Sequence, residues 1–194
     1  KDIAPARFGV SERVKVLDEA GNEVRHGTED VGMVAVTGRI PLGYYKDPKK
    51  TAETFRVVNG VRYSIPGDYA TVDADGTIRL LGRGSAMVNT GGEKVYTEEV
   101  ELVLRKSAAV FDCVVVGIPD ARFGEMVVAV VQVTDGHYTD EPELRAYCRR
   151  RGLAGYKVPR RVVLVESLQR APNGKADYQY LRELAAERLG VREG

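Results

Sequence analysis

Phe111-Asp-Cys-Val-Val-Val-Gly-Ile118 and Met126-Val-Val-Ala-Val-Val-Gln-Val133 decide how this chain folds. Both runs are rich in β-branched residues and are bounded by Gly, Pro and Asp, so they read as central strands. Helical patterns stand on either side of them. Thr97 is placed to cap a helix whose first turn carries Glu98 and Glu99, favourable at the positive end of the helix dipole. Val100, Val103, Leu104 and Ser107 then share one face. Asp140 or Thr139 starts a second helix, with Pro142 in its first turn and Leu144, Tyr147 and Cys148 turned inward. Arg161–Val165 reads as a third strand and Ala176–Leu189 as a terminal amphipathic helix. Residues 86–194 are therefore expected to form a small α+β domain, a central sheet flanked by helices.

Toward the N-terminus, Gly82-Arg-Gly-Ser85 is a polar, glycine-rich joint, and 82–85 is the expected boundary and hinge. Residues 1–81 read as short strands and turns. Val14–Leu17 alternates and runs into Asp18-Glu-Ala-Gly-Asn22, as a hairpin requires. The apolar stretch 31–37 lacks helical spacing and is expected to be a buried strand. Asp47-Pro48 opens one short helix over 48–55, with Pro in its first turn. Val72-Asp-Ala-Asp-Gly-Thr-Ile78 is the clearest hairpin signal, because Asp-Gly tolerates the positive φ of a tight turn. Ile78 and Leu80 face one way there, Thr77 and Arg79 the other. The expected class is α+β: a β-rich subdomain, a partial barrel with hairpins, followed by the small α+β domain.

Among 194 residues, 29 Lys and Arg stand against 28 Asp and Glu, which removes the argument for a general nucleic-acid binder. Two cysteines are too few for a disulfide framework and point to a reducing, cytoplasmic compartment. Cys113 falls inside a strand run and Cys148 on an apolar helix face, so neither reads as a nucleophile. No positively flanked apolar leader follows Lys1. The longest apolar runs, such as Val127–Val131, are far short of the roughly 20 residues that cross a bilayer, so no transmembrane segment is expected. His26 and His137 lack companion ligands and read as surface residues, and no metal site is expected.

Three segments carry more glycine and polar residues than folding requires. Ile65-Pro-Gly-Asp68-Tyr69 sets a carboxylate just after a turn, where it is either ordinary turn chemistry or an acceptor for both hydroxyls of a ribose. Thr90-Gly-Gly-Glu-Lys94 brings bare backbone N–H groups together with a lysine. It is either an anion cradle or a flexible hairpin tip, and it does not match the phosphate-loop pattern. Pro172-Asn-Gly-Lys175 puts a lysine on a tight turn, which by itself is a solvated surface charge. Arg145, Arg149, Arg150, Arg151 and Lys157 gather near one helix end, either to meet phosphates or as a solvated face beside the helix C-terminus.

In combination and in this order, the segments resemble the adenylate-forming superfamily: acyl-CoA synthetases, peptide-synthetase adenylation domains and firefly-type luciferases. The resemblance runs from Gly32-Met33-Val-Ala-Val36 and Gly43-Tyr-Tyr45 through Gly67-Asp68 and Gly82-Arg83. It continues in Gly91-Gly-Glu-Lys-Val-Tyr-Thr-Glu-Glu-Val-Glu101, Val116-Gly-Ile-Pro-Asp120 and Gly124-Glu125. It closes with Tyr156-Lys-Val-Pro159 and Asn173-Gly-Lys175. Leu80-Leu-Gly-Arg-Gly-Ser85 followed by Asn89-Thr-Gly-Gly-Glu-Lys94 looks most like fatty-acid or steroid-side-chain CoA ligases.

The resemblance implies a two-step reaction. ATP and a carboxylic acid give an acyl-adenylate and pyrophosphate; the C-terminal domain then swings, and CoA thiol attacks to give the thioester and AMP. By motif, Asp68 would hold the ribose hydroxyls with help from Arg83, Leu80 would lie against the nucleotide, and Lys94 would sit near the phosphates or CoA. Gly91 and Gly92 would let the pantetheine arm pass close to the backbone. Arg150 and Lys157 are the nominal contacts to CoA phosphates. Lys175 would be the catalytic lysine of adenylation, bridging the acyl carboxylate and the α-phosphate. Ser85 would be the hinge residue, where the family usually has Asp or Lys. Thr97 stands where proline is frequent, and Met33 where glutamate is usual. The family's phosphate loop, its adenine-binding segment and its acyl pocket have no counterpart here. The chain therefore reads as the distal portion of a longer enzyme, inactive alone, with the Mg2+ ligands in the missing N-terminal domain. Two other functions stay open: a stand-alone module that binds CoA or a partner, and an adenylation domain whose acceptor is a carrier protein.

Overall fold

The computed structural model describes residues 7–83 and 87–191, which fall into two separate units. The first holds strands β1 (Arg7–Gly9), β2 (Val14–Leu17) and β3 (Gly32–Val36), helix α1 (Pro48–Thr54), and strands β4 (Phe55–Val58), β5 (Val61–Ser64), β6 (Asp68–Val72) and β7 (Thr77–Arg83). The strands form one antiparallel sheet in the order β1-β7-β6-β3-β5-β4, with β2 also on β3. Strand β3 changes partner along its length, from β6 at Gly32 and Met33 to β5 at Val36, so the sheet curls into a half-barrel. A Cβ on Gly32 would lie 2.5 Å from the Leu17 carbonyl oxygen, so only glycine lets β2 pass this close. Val16, Val24, Ala70, Val72 and Ile78 form one core cluster, while Leu17, Ala35, Tyr63 and Ile65 form another.

The expected hairpins are present. Asp18 Oδ1 accepts from the Asn22 amide and closes the first turn. Val72 pairs with Ile78 across the Asp-Gly turn, with Gly76 at φ 81°. Helix α1 starts under an Asp47 cap with Pro48 at its first position. The stretch 31–37 contains strand β3, but its burial differs from expectation. Only Gly32 and Ala35 are fully buried, because β3 lies across a curled sheet with one face toward the core.

The second unit holds β8 (Met87–Thr90), β9 (Glu93–Tyr96), α2 (Thr97–Leu104), β10 (Val110–Asp120), β11 (Gly124–Val133), α3 (Glu141–Arg150), β12 (Arg161–Val165) and α4 (Tyr178–Leu189). The sheet order is β10-β11-β8-β9, with β12 parallel to β11 and the other pairings antiparallel. Alternation along β10 and β11 explains why both runs are apolar throughout. Cys113, Val115, Val127, Ala129 and Val131 face α2 and α3, packing on Val100, Leu104, Leu144 and Cys148. Val114, Val116, Ile118, Val128 and Val130 point the other way, onto Leu181, Ala185 and Ala186 of α4. Strands covered on both faces read as continuous hydrophobic runs.

Two helix starts differ from the sequence reading. Thr97 is the first residue of α2, not its cap; the cap position belongs to Tyr96, which makes no side-chain capping bond. The Thr97 side chain is instead buried, with its hydroxyl unpartnered among the described residues. Helix α2 ends at Leu104, so Ser107 lies beyond it. Helix α4 begins at Tyr178, because Asp177 Oδ1 accepts from the Tyr180 amide and sets the cap there. Asp140 rather than Thr139 caps α3. His26 and His137 are both exposed.

Candidate active-site elements

Asp68 opens β6 and stands directly opposite Arg83 at the end of β7. Arg83 Nε donates to Asp68 Oδ1 at 2.9 Å. Among the described residues Oδ2 accepts no hydrogen bond, so half of the carboxylate remains open to another donor. This pairing depends on a bulge. Ala70 faces Leu80 and Tyr69 faces Gly82, which leaves Leu81 as an extra residue on β7. Gly82 takes φ 109° to make the adjustment. Leu80 is half-buried and packs on the cluster of Val16, Ala70, Val72 and Ile78. Ser85, the expected hinge residue, lies outside the described residues.

Gly91 and Gly92 form the two-residue turn between β8 and β9, where Thr90 pairs with Glu93. Their φ values of 62° and 88° are both positive, as a type I′ turn requires. This tip is pinned to its neighbours. The Gly91 amide donates to the Phe123 carbonyl at 2.8 Å, Gly124 pairs with Thr90, and the Asn89 amide donates to Glu125 Oε2. A Cβ on Gly91 would meet the Phe123 ring at 3.0 Å, whereas one on Gly92 would meet nothing within 4 Å. The open side of the tip is therefore at Gly92. Lys94, exposed on β9, is opposite Asn89.

Lys175 closes a tight turn after β12. The Ala171 amide donates to the Lys175 carbonyl at 2.9 Å, the Gly174 amide to the Ala171 carbonyl at 2.8 Å, and the Lys175 amide to Asn173 Oδ1 at 3.1 Å. Gly174 has φ 79°, and the lysine side chain is exposed. The backbone is thus ordered by its own hydrogen bonds while the ammonium reaches solvent.

The basic residues group differently from the sequence cluster. Lys157 Nζ donates to both carboxylate oxygens of Glu99, at 2.9 and 2.8 Å, so its charge is matched from α2. Arg150 is exposed at the end of α3, and Arg151 stacks on Tyr147. The arginines that converge are Arg145, Arg149, Arg160 and Arg161, around a cavity of about 450 Å3. Glu141 pairs with Arg161 at 3.0 Å and lies 3.8 Å from Arg145. The Arg160 guanidinium stacks on Phe123, 3.8 Å from the ring centroid, next to the glycine tip. Arg160 and Arg161 were not part of the basic cluster read from the sequence, although they directly follow Tyr156-Lys-Val-Pro159. Among the described residues no group of three or more His, Cys, Asp or Glu could hold a metal ion, and no helix is long and apolar enough to cross a membrane.

A curled sheet ending in an Asp–Arg pair, followed by a helix-covered sheet with a glycine tip and a lysine turn, is the architecture of adenylate-forming enzymes. ATP-bound MatB from Rhodopseudomonas palustris superposes with a TM-score of 0.77 at 36% identity, over 96% of this chain and 36% of that one. Residues 99–175 match the AMP-binding enzyme C-terminal domain. It is 56% identical over 174 residues to the 3-oxocholest-4-en-26-oate–CoA ligase of Rhodococcus rhodochrous, covering 90% of this chain and 31% of the relative. It is 52% identical over 182 residues to the medium/long-chain-fatty-acid–CoA/3-oxocholest-4-en-26-oate–CoA ligase of Mycolicibacterium smegmatis, covering 94% and 33%. The chain thus spans about a third of the length of the curated relatives it matches.

Proposed function

We propose that this chain is the distal part of an AMP-forming acyl-CoA synthetase that activates fatty or steroid-side-chain carboxylic acids. The observation that carries this reading is the 56% identity to a 3-oxocholest-4-en-26-oate–CoA ligase across 90% of the chain. The substrates are then ATP, the acid and CoA. The remainder of the active site, including the ligands of an ATP-bound Mg2+, belongs to a partner domain of the same longer protein. Leu42 and Tyr45, 93% and 88% exposed on the first unit, suit a surface that such a domain covers. By itself the chain is inactive. Buried, unpaired Cys113 and Cys148 fit a reducing, cytoplasmic setting.

In this proposal Asp68 accepts the ribose hydroxyls through its open oxygen, while Arg83 fixes the carboxylate from the neighbouring strand. Leu80 packs beneath that strand end and sets its height against the nucleotide. Lys175 neutralises the charge that builds between the acyl carboxylate and the α-phosphate during adenylation. In the second step the same unit, turning about the joint at 82–85, presents the Gly91-Gly92 tip. The absent side chain at Gly92 leaves room for the pantetheine arm, and Lys94, Arg150 and Lys157 lie toward the CoA phosphates. Lys157 must exchange Glu99 for phosphate to do so.

Asp68→Ala in the full-length protein tests the nucleotide assignment. Lost charge-assisted hydrogen bonds, each contributing about 1.5–3 kcal/mol, should raise KM for ATP by roughly 10–100-fold. KM for CoA should not change. An unaltered KM for ATP, or an equal rise in both constants, counts against the assignment.

A further inference from the structure

Four charged residues form a continuous line from the outer edge of the second sheet to the lysine turn. Glu101 on α2 accepts from Arg105 Nη2 at 2.9 Å, and Arg105 Nε donates to Asp112 Oδ1 on β10 at 3.2 Å. Asp112 in turn accepts a two-bond fork from Arg170, Nε to Oδ2 at 2.5 Å and Nη2 to Oδ1 at 3.1 Å. The third arm of the same guanidinium, Nη1, donates to the Gly174 carbonyl at 3.0 Å, one residue before Lys175. Two parallel N–H···O bonds to a carboxylate fix a guanidinium in plane and direction, which a lysine ammonium cannot reproduce. Partial burial works against the charged form of Asp112. The hydrogen bonds and charge of Arg170 outweigh it and hold the carboxyl below its ordinary value.

The turn has little else to orient it. Residues 171–175 are exposed, and their backbone hydrogen bonds close within the turn itself. Arg170 is the arm that ties the Gly174 carbonyl to strand β10, 58 residues away in sequence. Arg105 reaches the same aspartate from α2 and keeps it from rotating away.

We propose that Arg170, clamped by Asp112, is a positioning residue for Lys175: it sets the turn from which the lysine reaches the reacting carboxylate. This rests on the assignment of Lys175 to adenylation. Positioning matters because a point charge acts on the transition state only at the right distance. A displacement of about 1 Å can lower a rate on the order of 100-fold.

The test uses the full-length protein and measures adenylation, thioester formation from supplied acyl-adenylate, and the thermal midpoint. Arg170→Met should slow adenylation by about 10–100-fold while thioester formation keeps its rate. Arg170→Lys, with its charge but not its fork, should recover only part of the loss. Asp112→Asn keeps the shape of the clamp and serves where Arg170→Met does not fold; adenylation should fall in it too. Full adenylation in these variants overturns the proposal, as does an equal fall of both half-reactions. Lys175→Ala is run beside them. If it retains adenylation, the assignment of Lys175 fails and the positioning role fails with it. If it loses adenylation while the Arg170 and Asp112 variants do not, only the positioning role fails.

Discussion

Lys175→Ala in the full-length protein should lower acyl-adenylate formation by roughly 100–1000-fold, the usual effect of removing one preorganised charge from a transition state. Thioester formation from supplied acyl-adenylate should keep its rate, because in the proposed second step the turned unit presents the Gly91-Gly92 tip in place of Lys175. The geometry favours so separable a role. Lys175 is exposed on a turn whose backbone is held by Ala171, Asn173 and the Arg170 guanidinium, none of which uses the lysine ammonium. Removing the side chain beyond Cβ therefore leaves the turn intact. Stopped assays of pyrophosphate release and of thioester formation separate the two steps, and equal loss in both would sink the assigned role.

Glu101→Ala should strongly destabilise the second unit, lowering unfolding free energy by about 3–5 kcal/mol, as expected when one partner of a buried ion pair is removed. Glu101 is only 2% exposed. Strand β10 is an edge of its sheet, and Glu101 covers that edge: Oε1 accepts from the Val115 amide at 2.9 Å. Arg105 does the same for the Cys113 carbonyl at 2.8 Å. Covering an edge in this way also removes a template for pairing with another chain. Alanine would orphan the Val115 N–H and leave Arg105 with Asp112 as its one carboxylate partner, beside the Cys113 carbonyl. Burial pushes the Glu101 carboxyl above its ordinary value of 4.5, against the Val115 amide and the Arg105 charge. The folded state therefore holds that proton more tightly than the unfolded chain. The stability this contributes is fully present below pH 4.5 and is lost as pH rises through the folded value. Urea unfolding at several pH values should show this decline, and Glu101→Gln should remove it. A Glu101→Ala midpoint unchanged from the parent would contradict the account of the edge.

The second sheet was legible because its signals are local and redundant. Cys113–Ile118 and Val127–Val131 are apolar on both faces, and Asp140 followed by Pro142 marks a helix start regardless of context. Glu101 was not legible for the opposite reason. It follows Glu98 and Glu99 in a short helix, where a carboxylate ordinarily faces solvent, and only the arrival of the β10 edge makes burial favourable. Arg170 and Asp112 were equally hidden, since nothing in either neighbourhood points to a partner 58 residues distant. The bulge at Leu81 was missed because Gly82-Arg-Gly-Ser85 reads as a polar joint rather than strand, yet β7 runs on through Arg83 and the extra residue is what sets Arg83 opposite Asp68. The basic cluster was drawn one element too early: Arg149 converges with Arg160 and Arg161 because the chain turns back between α3 and β12, which spacing alone does not reveal. Thr97 has the chemistry of a cap, but the strand runs straight into the helix and places it one position inside.

Pyrophosphate release by the full-length protein, measured with ATP and fatty or steroid-side-chain acids and followed by addition of CoA, tests the central claim most directly. Acid-dependent release, then a thioester that forms only with CoA, is the expected result. Release without any thioester to CoA, or transfer to a carrier protein instead, would contradict the assignment as an acyl-CoA synthetase.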